Sequence, residues 1–162
     1  MTTTAQDVQT TQVYQVYIRA TPEQIWDGIT KPEYIEHYFH GCRMDSPLTD
    51  GGRWVAHSPD LTKLWIDSAI IEFDPPKRLR HAWRALYDDE LALEGESRVT
   101  WEIEPQEEGT CLLTVVHDHL EGAPKTAASV AGAGWMHVLS GLKTLLETGT
   151  PLFDYAKPEE TK

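Results

Sequence analysis

Between residues 13 and 20, Tyr14, Val16 and Ile18 alternate with Gln15, Tyr17 and Arg19, the period of two expected of a half-buried strand. The pattern then changes. In TPEQIW, Thr21 is a suitable N-cap, Pro22 falls at the first helical position and Gln24 at the third, where it completes a capping box. TKPEYI repeats the grammar, with Thr30 as cap and Glu33 three residues on, so two short helices follow one strand. A run of strands comes next: a short piece near Arg43, then 52–57, 64–73, 78–86, 98–104 and 110–119. DGG, SPD, DPP and EEG separate several of them with strong turn chemistry. The last two strands form the clearest hairpin, with Val99, Trp101 and Ile103 on one face and Arg98, Thr100, Glu102 and Glu104 on the other. A long helix closes the pattern, because Trp135, Val138, Leu139, Leu142, Leu145 and Leu146 make one stripe that Gly149 and Pro151 end. Gly132 and Gly134 blur its start, which falls anywhere from Thr126 to Trp135.

These elements occupy residues 13–149. Residues 1–12 are rich in Thr and Gln without apolar periodicity, and 150–162 carry two prolines and a polar ending, so both read as tails around one domain. A length of 162 residues suits a single domain with a real core. The formal charge of −12 excludes nucleic-acid and anionic-membrane partners unless a local basic patch exists, and none is visible. The acidity is concentrated: residues 88–108 hold nine acidic side chains against Arg98, which reads as a solvated outer face. Two cysteines, an opening without a positive n-region or apolar h-segment, and no long apolar run give the expectation of a reduced, cytoplasmic protein.

The element order is that of the helix-grip fold, an α+β architecture in which a curved antiparallel sheet of about six to seven strands wraps a long C-terminal helix. Local sequence agrees. VYIRATPEQIWDGITKPEYIEHYF at 16–39 resembles the opening of the SRPBCC superfamily (START and birch-pollen-allergen-like domains), and more closely the family named after the activator of the large heat-shock ATPase. DGGRW at 50–54, HDHL at 117–120 and GW at 134–135 resemble further signatures of that family. The resemblance implies a cavity between sheet and helix. It also implies three kinds of role: binding of a lipid or aromatic molecule, cyclase-type or hydrolase-type catalysis, and a chaperone or regulator partner in stress response.

Strand parity puts Leu79, His81, Trp83 and Ala85 on one face, and Cys111, Leu113, Val115, His117 and His119 on another. Where these faces line the interior, the cavity is aromatic with a few polar points, suited to a small hydrophobic molecule. The expected lining is Trp54, His81, Trp83, Trp101, His117, Trp135 and Met136. The alternative is that the tryptophans simply fill the core. An acid/base reading would pair Asp67 or Asp118 with His81 or His117; parity sets Asp118 opposite His117 and places Asp67 with Trp65, Ala69, Ile71 and Phe73. His81, His117 and His119 could together present three imidazoles to a metal, but no recognised ligand motif or cofactor fingerprint is present, so no metal or cofactor is expected. A homodimer is left open.

Overall fold

The computed structural model describes residues 10–153 and Tyr155. Residues 1–9 of the amino-terminal tail, and Asp154 and 156–162 of the carboxyl-terminal one, lie outside the described residues. The chain runs β1 (Gln12–Ile18), α1 (Pro22–Thr30), α2 (Pro32–Ile35), β2 (Arg43–Met44), β3 (Arg53–His57), β4 (Leu64–Asp74), β5 (Arg78–Trp83), α3 (Asp89–Ala92), β6 (Ser97–Pro105), β7 (Cys111–Asp118), α4 (Pro124–Ser129), a π-helical turn (Val130–Gly134) and α5 (Trp135–Thr148). The strands form one antiparallel, curved sheet of seven in the order β1-β7-β6-β5-β4-β3-β2, so the first strand closes against the last and α5 packs across β1 and α1. This is the α+β helix-grip architecture.

The start of α1 follows from its sequence. Thr21 accepts from the Gln24 backbone N–H at 3.0 Å, and the Gln24 side chain accepts from the Thr21 N–H at 2.8 Å, the reciprocal capping box. The second cap differs from expectation. Thr30 is the last residue of α1, so its hydroxyl folds back to the Trp26 carbonyl at 2.7 Å, and Lys31 opens α2 without a side-chain cap. Inside the grip, α1 buries Ile25, Trp26 and Ile29, while α5 buries Trp135, Val138, Leu139, Leu142 and Leu145. Gly132 departs from helical geometry, which confines the firm helix to Trp135 onward, and Gly149 ends it at φ 78°.

Three further differences have local causes. A register shift between Ile70 and Glu72 breaks the simple alternation of β4, so that Phe73 meets Trp26 edge-on at 5.1 Å while Ile66, Ser68 and Ile70 hold the buried face earlier in the strand. β5 ends at Trp83, short of Leu86, and the acidic stretch that follows forms α3, capped by the Asp88 carboxylate on the Glu90 and Leu91 N–H groups. β7 ends at Asp118, and His119 takes φ 60° with its side chain exposed. Among the described residues no helix is long and apolar enough to cross a membrane, and Cys42 and Cys111 are free, buried thiols.

Candidate functional site

The deepest layer of the grip is a set of aromatic rings tied by two indole–imidazole hydrogen bonds. Trp101 Nε1 donates to His81 Nε2 at 3.0 Å, and His81 Nδ1 lies 2.8 Å from the Ala82 carbonyl, to which it donates. Trp135 Nε1 donates to His117 Nδ1 at 3.0 Å, and His117 Nε2 contacts Ser97 Oγ at 2.7 Å. An imidazole nitrogen that accepts from an indole carries no proton, so the neighbours fix both rings as neutral tautomers. Burial drives the same way. His81 is lowered to about 4 by desolvation against a smaller opposing effect of its Ala82 bond. Desolvation, aided by His81 and opposed by Asp118, lowers His117 to about 3. The rings pack edge-on or tilted, with the edge-on Trp101–Trp135 centroids 5.4 Å apart and Trp54–His81 centroids 4.9 Å apart. Trp54, His81, Trp101 and His117 are thus packed core.

Above this layer a pocket of about 880 Å³ opens between three walls. Phe39, His40 and Cys42 come from the segment after α2, and Ser58, Pro59, Asp60, Thr62 and Lys63 from the β3–β4 turn. Val130, Trp135, His137 and Val138 come from the π turn and the start of α5. Ile66 and Trp83 lie at its base, with Trp65 and Tyr87 at its edge. The location follows from sequence. SPD in the β3–β4 turn raises one wall, and the kink at Gly132 holds the start of the last helix off a regular α-helical course opposite it.

Of the seven residues expected from sequence, Trp83 and Trp135 line this pocket, and Trp54, His81, Trp101 and His117 support it from below. Met136 does not belong to it. It is 56% exposed and faces a shallow groove beside Val13 and Val16 of β1, because it falls one residue off the buried stripe of α5. Sequence reasoning missed Phe39, Trp65, Tyr87 and Val130. Phe39 ends the apolar run after α2, and its edge-on contact with Trp54 at 5.1 Å carries that run to the pocket; nothing local marks Tyr87.

Polar chemistry at the pocket is sparse. Asp60 is held down to about 2 by hydrogen bonds, first from Ser58 and then from Thr62, which makes it the anchor of its own turn. Burial pushes the Cys42 thiol up to about 12, with Glu36 adding to it, so it is no nucleophile near neutral pH. Neither carboxylate of the acid/base reading faces the cavity. Asp67 accepts from Arg53 Nε at 2.6 Å on the outer face of β4, and Asp118 forms a bidentate pair with Arg98 at 2.9 and 2.7 Å on the outer face of β7. With His119 exposed, the three imidazoles do not converge. Among the described residues no group of three or more His, Cys, Asp or Glu is placed to hold a metal ion.

At the rim the His40 and His137 rings stack 4.8 Å apart, and Phe153 stacks on His137 at 3.8 Å. The Tyr155 hydroxyl lies 3.2 Å from His137 Nδ1. Gly41, at φ 76°, faces the Tyr155 side chain so closely that a Cβ there would stand 2.8 Å from the Tyr155 Cβ.

Comparison with solved structures returns the same architecture. DynU16, a protein in the dynemicin biosynthetic locus, matches with a TM-score of 0.70 at 23% identity over 88% of this chain and 49% of its own, so this chain spans about half its length. Protein MLL2253 from Mesorhizobium loti matches at 0.69 and 25% identity, over 86% and 98% of the two chains. CalU16 from Micromonospora echinospora matches at 0.64 and 20%, over 86% and 77%. No curated protein matches the chain in sequence. The family described as "Activator of Hsp90 ATPase homolog 1-like protein" matches residues 19–147, from the end of β1 to the last turn of α5. This chain therefore belongs to the activator of Hsp90 ATPase homolog 1-like family, a helix-grip family of the SRPBCC superfamily.

Proposed function

We propose that this protein binds a small hydrophobic molecule, aromatic or lipid-like, in the pocket between the β3–β4 turn, the segment after α2 and the start of α5. The observation that carries the reading is an apolar pocket of about 880 Å³, large enough for a ligand of several fused rings, with Trp83 at its base and Trp135 and Phe39 in its walls. Ring faces supply area and shape, and the Trp–His layer below holds them in place. Family membership and the helix-grip fold support ligand binding as the class of activity.

The test is thermal-shift screening against a library of flat hydrophobic compounds, followed by titration of any hit. A ligand at a hundred times its Kd adds about 2.7 kcal/mol. That corresponds to a rise of about 5–10 °C for a domain of this size. Trp83→Ala should remove the shift. A library without responders, or a shift indifferent to Trp83→Ala, refutes the reading.

A further inference from the structure

The pocket's rim carries a stack of three rings. His40 belongs to the wall after α2 and His137 to the first turn of α5, and their rings lie 4.8 Å apart and 7° from parallel, so the pair bridges the seam between two walls. The backbone is turned to bring them together. His40 and Gly41 take φ 57° and 76°, successive left-handed residues whose cost only the glycine escapes. Phe153 covers the other face of His137, 3.8 Å away and 13° from parallel. It belongs to the segment that leaves α5 at Gly149 and doubles back toward the start of the same helix. Tyr155 lies further along, its hydroxyl 3.2 Å from His137 Nδ1 and its ring 6.3 Å from His40. A Cβ on Gly41 would meet both the Tyr155 Cβ at 2.8 Å and the Cγ of Pro59, in the β3–β4 turn, at 3.3 Å. Phe153 and Tyr155 thus meet all three walls on one side of the mouth.

Little else holds this segment. Among the described residues, Pro151, Leu152 and Phe153 make no hydrogen bond to the rest of the domain, and Tyr155 makes its contact through the hydroxyl. Leu152 is 46% exposed. A segment held by ring contacts, without a backbone ladder, opens at far less cost than the sheet or α5. Its position decides what opening would uncover. Cys42 borders the pocket at 0% exposure and is next in the chain to the glycine that Tyr155 covers.

We propose that the segment carrying Phe153 and Tyr155 is a strap across the mouth of the pocket: seated on His137 and Gly41 it keeps the His40–His137 stack shut, and when it lifts the mouth widens for a ligand to pass. As the gate of a binding pocket it rests on the ligand-binding reading above, but its first test needs no ligand. Methyl methanethiosulfonate, small and uncharged, caps thiols as they become reachable. Peptide mass spectrometry follows Cys42 and Cys111 separately in the wild type, Phe153→Ala and Tyr155→Ala. Cys111 is the reference, buried against the Ala20 carbonyl outside the pocket. Cys42 should be capped about tenfold faster in each variant, the factor expected for loss of one ring contact, with Cys111 unchanged. A Cys42 rate equal to that of the wild type overturns the strap. So does a rise shared by Cys111, which would report unfolding of the whole domain. The second test is stopped-flow binding of fluorenone, a flat three-ring probe, read by quenching of tryptophan fluorescence. Association and dissociation should both quicken about tenfold in the variants while Kd stays within about twofold, because a gate changes rates more than affinity. Rates equal to the wild type overturn the gate and leave the pocket in place. If fluorenone does not bind the wild type, the ligand-binding reading falls and the Cys42 rates alone decide the strap.

Discussion

Acid should unfold this protein earlier than its carboxylates alone would. In the folded chain His81 and His117 are buried acceptors of indole N–H bonds, with pKa values lowered to about 4 and about 3. In the unfolded chain each returns to about 6.5. Since the folded values are the lower ones, the unfolded state binds more protons below pH 6.5, so the stability present above that pH is lost as pH falls toward the folded values. Between pH 7.5 and 4.5 each histidine removes between two and three kcal/mol, about 5 kcal/mol together. A domain with a typical total of about 5–15 kcal/mol would then stand close to its acid transition. His40, lowered by burial and by His137, adds in the same direction. The paired carboxylates Asp118, Glu94 and Glu147, whose values are lowered, lose their contribution mainly below this window. Urea unfolding at half-unit steps of pH should show a steady fall at constant m. Calorimetry in buffers of different ionisation heat should find nearly two protons taken up on unfolding at pH 5.5. A stability flat from pH 7 to 5, or uptake below one proton, would refute the neutral-acceptor assignment.

Smaller perturbations test the frame. Thr21→Ala removes the accepting half of the α1 capping box and should cost about 1 kcal/mol in chemical denaturation, with Thr21→Ser restoring most of it. Gly141 faces Tyr38, where a Cβ would stand 3.0 Å from the Tyr38 Cβ, and Tyr38 is itself pinned by its bond to the Gly28 carbonyl at 2.7 Å; Gly141→Val should lower stability by about 1–3 kcal/mol. Met136→Ala should change stability by less than about 0.5 kcal/mol and leave the affinity for a thermal-shift hit unchanged, since Met136 is exposed outside the pocket; a loss of affinity would move the site to the β1 groove.

Periodicity carried the fold because each strand of the meander buries one face. Val99, Trp101 and Ile103, or Leu113, Val115 and His117, alternate without interruption, and all are buried. It failed where the backbone departs from a regular period. The register shift after Ile70 turns Phe73 to the core while Asp67 stays outside, and the end of β7 releases His119. The site was legible in type and only partly in place. Parity identified the inward tryptophans and histidines, but whether an inward ring lines space or fills it depends on its neighbours across the fold. Trp101 and His81 satisfy each other and close the layer, whereas Trp83, one register step along β5, finds no acceptor among the described residues and borders the pocket with its ring. The walls at 58–63 and 130–138 are set by a turn and a kink whose spatial approach no local pattern encodes.

The central claim is that a hydrophobic ligand sits on Trp83 and Trp135 above the Trp–His layer. A crystal structure of the protein grown with fluorenone tests it most directly. The account predicts planar density between Phe39, Trp83 and Val138. Density in the groove beside Met136, or a pocket that stays empty at saturating fluorenone, would contradict it.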